Sequence, residues 1–120
     1  MPFLDSNHRG LAYGDGYMQG AGGCGQFVKL VGNDLFAVNT DPAAKSFGVL
    51  RKDYKAGEMP GIFCMGGIYE TDVFEGSISA GDDLRVSANG KLTAGVQVGD
   101  QVVARAISTS SGTLKFRLLI

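Results

Sequence analysis

Two short loops near the end of the chain constrain its conformation more than any other feature. Each is a glycine-ended triplet, Ala88-Asn89-Gly90 and Ser110-Ser111-Gly112, set between runs in which apolar and polar residues alternate. Alternation at period two marks a half-buried strand, and a tight loop between two such runs closes a β-hairpin. Loop length then sets the register, and a slip of one residue turns every side chain to the opposite face. In DLRVSANGKLTA, a two-residue Asn89-Gly90 loop sets Val86 against Thr93 and Ser87 against Leu92, mixing polar and apolar groups on both faces. A three-residue loop with Gly90 in the left-handed bulge position sets Val86 opposite Leu92 and Leu84 opposite Ala94. One face becomes wholly apolar, so this register is predicted.

The same loop form is expected at Ser110-Ser111-Gly112, joining QVVARAIST to TLKFRLLI. It pairs Ala106 with Phe116, Ala104 with Leu118 and Val102 with Ile120, small side chains against large ones as a packed layer prefers. The opposite face then carries Val103 across from Leu119 and Arg105 across from Arg117. Like charges facing each other on adjacent strands are unfavourable unless an acidic group lies nearby. That acid comes either from the same domain, for instance from the Glu70, Asp72 and Glu75 group, or from another subunit. In the second case Val103 and Leu119 form part of an exposed contact patch.

Upstream, QFVKLVG and DLFAVNT are short β-type runs separated by Gly32-Asn33, which predicts a first hairpin. Thr40-Asp41 followed by Pro42-Ala43-Ala44-Lys45 has the form of a capped helix start, and one helical turn is expected there. SFGVLRKDY and GIFCMGGIYETDVF continue as β segments punctuated by Gly57, Pro60, Gly61 and the Gly66-Gly67 pair. Residues 1–25 hold seven of the glycines and show no helix or strand period. They read as an irregular, extended N-terminal arm preceding a single β domain over 26–120. Phe3, Tyr13 and Tyr17 distinguish the arm from a polar spacer and make it a candidate contact element with the domain or a neighbour.

Composition fits that division. Nineteen glycines in 120 residues is more than double the usual share of roughly 7%, with no three-residue period, so collagen is excluded and the glycines serve turns and bulges. With 44% hydrophobic residues and a net charge of -1, the chain has enough apolar material for one core and no large positive field for nucleic acid or an anionic membrane. The start of the chain lacks a basic stretch followed by an apolar core, so neither export by a signal peptide nor membrane insertion is expected. Two cysteines, Cys24 and Cys64, are too few for a disulfide-stapled secreted scaffold and point to synthesis in a reducing compartment. Short strands, glycine turns and almost no helix predict an all-β fold, a small β-sandwich or β-barrel.

No residue pattern in the chain supports catalysis. The single histidine, His8, falls in the arm. Together with Cys24 it lacks the paired short spacings of a zinc site, so no metal is expected. Cys64 lies in an apolar run and reads as a small core residue. GYMQGAGGCG has the glycine density of a phosphate loop, but it precedes the β-type run QFVKLV rather than a helix and lacks the Gly-Lys-Ser/Thr ending. Glu70, Asp72 and Glu75 have a spacing compatible with a glycosidase pair or a calcium site, yet read as solvated strand carboxylates. KFR at 115–117 and VLRKDYK at 49–55 are too short to define a nucleic-acid face. The expectation is a binding module without enzyme activity or cofactor.

The segment AGDDLRVSANGKLTAGVQVGDQVVARAIS, followed by SSGTLKFRLL, resembles the C-terminal part of decoration or cement proteins of tailed-bacteriophage heads. The likeness spans about 80–118 and rests on Ala80-Gly81-Asp82, Leu84, Val86-Ser87, Gly90-Lys91-Leu92-Thr93, Gly99-Asp100, Ala104 to Ile107, and Gly112 with Leu114. It implies a β-rich virion structural protein, made in the host cytoplasm, that binds the major capsid protein lattice from outside and stabilises the head. It also implies a homo-oligomer, a trimer in the first instance, with no catalytic residues. A tail, fibre or other surface-assembly subunit is the alternative, and a small β-barrel enzyme or ligand-binding protein a more distant one. The contact residues expected on this reading are Phe3, Tyr13, Tyr17, Val103, Arg105, Arg117 and Leu119.

Overall fold

In the computed structural model, which describes all 120 residues, every regular element is a strand. In chain order these are β1 (Leu4–Tyr13), β2 (Tyr17–Met18), β3 (Phe27–Gly32), β4 (Leu35–Val38) and β5 (Gly48–Leu50). Then follow β6 (Ile62–Thr71), β7 (Asp83–Val86), β8 (Leu92–Thr93), β9 (Ala104–Ser110) and β10 (Thr113–Leu118). They form one mixed sheet in the order β2-β4-β3-β5-β6-β10-β9-β7-β8, with β1 paired to β6 off that path. The all-β expectation holds.

The sheet turns on β6. Its first residues, Ile62 and Phe63, pair with Leu50 and Val49 of β5, and its last, Ile68 to Thr71, pair with Arg117 to Leu114 of β10. Between them lie Gly66 and Gly67, both in the left-handed region at φ 63 and 101. β1 accompanies β6 through the bend, from Tyr13 opposite Ile62 to Leu4 opposite Thr71. The two half-sheets thus fold over one core, in which Phe27, Val49 and Phe63 from one half meet Leu84, Ala106, Leu114 and Phe116 from the other. A second, smaller core of Met18, Val28, Phe36, Leu50 and Ile62 covers the other face of the first half-sheet. Tyr13 and Phe47 close it, their rings 5.3 Å apart edge to face.

The bend is held by one buried hydroxyl. Tyr69, fully buried between Phe63 and Phe116, accepts the Gly10 N–H at 3.1 Å and donates to the Gly66 carbonyl at 2.9 Å. Backbones approach so closely here that a Cβ on Gly10 would fall on the carbonyls of Met65 and Gly66, and one on Gly67 would lie 2.5 Å from the Tyr69 oxygen. Glycine is therefore required for close approach as well as for the turn.

Three local expectations are corrected. Residues 1–25 are not irregular throughout: β1 is a strand of ten residues, and Met18 of β2 is a core residue. Its period is hidden because β1 is an edge strand whose residues 5–9 are all exposed, so no alternation marks it. The helical turn at 40–45 is a single β-turn, closed by the Ala44 N–H donating to the Asp41 carbonyl, with the Asp41 carboxylate accepting from the Ala43 N–H. Asp favours this local side-chain turn over propagating a helix. The last hairpin closes through two residues, Ser111 and Gly112, at φ 52 and 77, with Ser110 opposite Thr113. That is the type I′ geometry whose twist matches the strands. The residue misassigned to the loop is absorbed by a bulge at Ile107, after which Ala106 faces Phe116 and Ala104 faces Leu118 as predicted. Val102 and Ile120 lie beyond that ladder. In the β7–β8 hairpin, Val86 faces Leu92 and Gly90 is left-handed at φ 73, as predicted. The ladder to β8 ends with Arg85 opposite Thr93, so Leu84 and Ala94 lie just beyond it, and on the other edge of β7 Leu84 is laddered to Ala104.

Candidate interaction surface

The outward face of the half-sheet built from β7, β9, β10, β6 and β1 carries a row of charged side chains. Reading across the strands, Asp83 faces Arg105, Arg105 faces Arg117, Arg117 faces Ile68, and Ile68 faces His8. The predicted arginine pair is therefore present. Its balancing acid is Asp83, whose carboxylate accepts from Arg105 Nε at 3.0 Å, and not one of Glu70, Asp72 or Glu75. Both side chains are about half exposed, 51% and 47%, so the pair contributes at most about 1 kcal/mol to folding. Arg117 takes part in neither of the chain's ion pairs. The neighbouring row holds Lys115, Glu70 and Asp5.

Farther along β1 and β6, past the glycine bend, Leu11 faces Met65. These two side chains are 58% and 62% exposed, a directly opposed apolar pair left in solvent. The sequence signal was available in the LAY and CMGG segments, but without β1 as a strand there was no register to bring Leu11 and Met65 together.

The other expected contact residues separate. Val103 is 1% exposed and belongs to the main core, which corrects its placement on an exposed face. It precedes β9, where its N–H donates to the Leu84 carbonyl and its carbonyl accepts from the Leu119 N–H. The entering chain breaks the strand alternation there, so Val103 and Ala104 are both buried. Leu119 is half-buried. Phe3 is tied down by its own backbone, its N–H donating to Asp72 and its carbonyl accepting from the Thr71 hydroxyl. Tyr13 packs on Phe36 and Phe47 and donates its hydroxyl to Asp34 at 2.6 Å. That hydrogen bond, with a smaller contribution from burial, pushes its pKa up to about 12. Tyr17 is 62% exposed beside Leu35 of β4.

The residues weighed for chemistry are dispersed into structural roles. Glu75 accepts from Asn89 Nδ2 at 2.8 Å and Ser87 Oγ at 3.0 Å, bracing the β7–β8 loop, and these bonds hold its carboxyl below the ordinary value. Asp72 anchors Phe3, and Glu70 faces Lys115. Cys24 and Cys64 are unpaired, and burial raises both thiols. Their Sγ–H groups donate to the carbonyls of Arg51 and Leu11. The largest surface hollow, about 320 Å³ beside Leu30 and Phe47, is lined otherwise by Lys29, Ala44, Lys45 and Ser46.

This fold is shared with a solved structure, that of the head fiber gp8.5 N base in bacteriophage phi29. The two superpose with a TM-score of 0.64 over 90% of this chain and 92% of that one, at 14% sequence identity. No protein-family model matches the sequence, and no curated protein matches it. At that identity the likeness is one of fold.

Proposed function

We propose that the chain is a non-enzymatic structural protein of a tailed-phage virion, which binds the outer surface of the capsid lattice as a decoration or cement protein. The observation that carries this reading is the fold match along nearly the whole chain to the base of a phage head fibre. The resemblance of residues 80–118 to head decoration proteins, seen in the sequence alone, points the same way. A docking module of this kind needs a rigid scaffold and an outward patch, and the bent sheet supplies both. Weak single contacts suffice, because a lattice offers many identical sites and linked subunits gain by avidity. Association of the chain with itself, a trimer in the first instance, belongs to the same reading.

A second reading is favoured by the neighbour's own description: the domain is the base that fixes a head fibre to the capsid. Both readings predict co-sedimentation of the purified protein with undecorated heads of the parent phage, saturating at a fixed number of copies. Binding to tails and not to heads would refute both.

A further inference from the structure

Asn89-Gly90 is the one Asn-Gly step in the chain. Asparagine is chemically labile, and a following glycine, with no Cβ to shield its nitrogen and a permissive backbone, exposes it most. The Gly90 amide nitrogen, once hydroxide has taken its proton, attacks Asn89 Cγ. An N–C bond forms and closes a five-membered succinimide, the Cγ–Nδ2 bond breaks, and the departing nitrogen takes a proton from water to leave as ammonia. Water then adds to one of the two ring carbonyls and opens the ring to aspartate or isoaspartate. Water and hydroxide are the only co-reactants.

The fold restrains both partners in that step. Asn89 is exposed, but Gly90 is buried. The Gly90 N–H donates to the Ser87 carbonyl at 3.0 Å, so the turn must open before its proton can be removed, as amide hydrogen exchange also requires. Asn89 Nδ2 donates to Glu75 Oε1 at 2.8 Å, which holds the side chain in place. On the main chain, the Asn89 carbonyl accepts from Gln26 Nε2 at 2.8 Å and the Gly90 carbonyl from the Phe27 N–H at 2.9 Å. The loop is thereby fastened within its own hairpin and to the first half-sheet.

The products do not fit the same place. Aspartate would replace a donor by a second carboxylate beside Glu75, whose Oε1 also accepts from Ser87 Oγ at 3.0 Å, and like charges so close disfavour each other. Isoaspartate would also add a carbon to the main chain between residues 89 and 90. Gly90 is left-handed at φ 73, and a Cβ there would collide with Val38 Cγ1, so little room is left on that side for a longer loop.

We propose that Asn89 is a deamidation site gated by folding: it is protected in the native chain, reacts when the β7–β8 loop opens, and yields a product that cannot rebuild the brace to Glu75. An episode of unfolding is then recorded in the covalent structure, whatever the chain binds.

The test is mass analysis of the full chain after incubation at mildly alkaline pH, folded in buffer and unfolded in guanidinium chloride. Deamidation is read at residue 89 as the mass gained when NH2 is exchanged for OH. A synthetic Ser87–Thr93 peptide in each solvent corrects for the denaturant, and Asn89→Gln confirms the assignment by losing the signal. The folded wild type is expected to react about tenfold or more slowly than the unfolded chain. Glu75→Ala, checked as folded by circular dichroism, or Glu75→Gln if the alanine variant is not folded, narrows that gap, and hydrogen exchange at Gly90 quickens with it. Deamidated wild type, refolded, shows a lower urea midpoint than the untreated chain. Reaction of the folded wild type at the unfolded rate overturns the gating, and absence of reaction at residue 89 in the unfolded chain overturns the site. A deamidated chain that refolds to the untreated midpoint overturns the incompatibility of the product with the brace.

Discussion

Removing one oxygen atom, by Tyr69→Phe, tests whether the bend in β6 is pinned as described. The ring keeps its place between Phe63 and Phe116, at centroid distances of 4.7 and 5.7 Å, so the change is confined to the two hydrogen bonds. Gly10 loses an acceptor at 3.1 Å and Gly66 a donor at 2.9 Å. A buried group left without its partner costs about 1–3 kcal/mol. Both glycines are only partly buried and water reaches them in part, so about 2–4 kcal/mol for the pair is expected. For a domain of this size that is a fall in Tm of roughly 10 °C. Urea and thermal denaturation followed by circular dichroism measure it, and the m-value stays unchanged because the same surface is exposed on unfolding. A pH profile gives a second readout. Burial raises the Tyr69 hydroxyl above its ordinary value of 10.0, so the neutral form is favoured in the folded chain. Its contribution is complete below pH 10 and is lost as the pH climbs from there through the folded value. The phenylalanine variant lacks this part of the alkaline loss. A destabilisation below about 0.5 kcal/mol, within the usual effect of a surface change, would refute the pin.

Two further substitutions probe the hairpins. Glu75→Gln weakens the brace on the β7–β8 loop. Because the folded carboxyl is held below its ordinary 4.5, chiefly by Asn89 and then by Ser87, its stabilisation is present above that pH and disappears as the pH falls through the folded value. The urea midpoint of the variant should therefore decline less steeply below pH 4.5 than that of the wild type; parallel declines would count against the brace. Ser111→Asn places the residue preferred in a type I′ turn at φ 52 and should stabilise the chain by about 0.5 kcal/mol, read from the urea midpoint. A lower midpoint would mean that the turn is not of this type.

The strands that alternate cleanly were legible in the sequence, and the strand that does not was missed. Val86 opposite Leu92 and Ala106 opposite Phe116 followed from a single demand, that one face of each hairpin be apolar, because burial makes a one-residue slip expensive. The same demand says nothing about where an extra residue goes. Placing it in the Ser110-Ser111-Gly112 loop or in a bulge at Ile107 leaves the Phe116 pairing unchanged. β1 defeats the method for a different reason. It borrows its order from β6, presenting Asp5 to Arg9 to solvent, so its own residues carry no burial signal. The arginine pair was recognisable as unbalanced, but its acid was not identifiable, since Asp83 reaches Arg105 through the β7–β9 pairing, a contact between strands that are not neighbours in the chain.

The placement of β1 changes how binding must be tested. Read as a loose arm, residues 1–25 would be removed to ask whether they grip a partner. In the fold, that deletion strips the entire partnered edge of β6 from Ile62 to Thr71 and takes Tyr13 and Met18 from the second core. It also removes the Gly10 amide that Tyr69 binds, and so loosens the bend at which the two half-sheets meet. Loss of capsid binding by such a truncation would report unfolding as readily as a missing contact. Leu11 and Arg117 avoid this difficulty: both point outward, from a partnered strand and from an inner strand respectively. Their side chains can be changed while the backbone pairing that holds β1, β6 and β10 together is kept, which separates the surface from the scaffold that carries it.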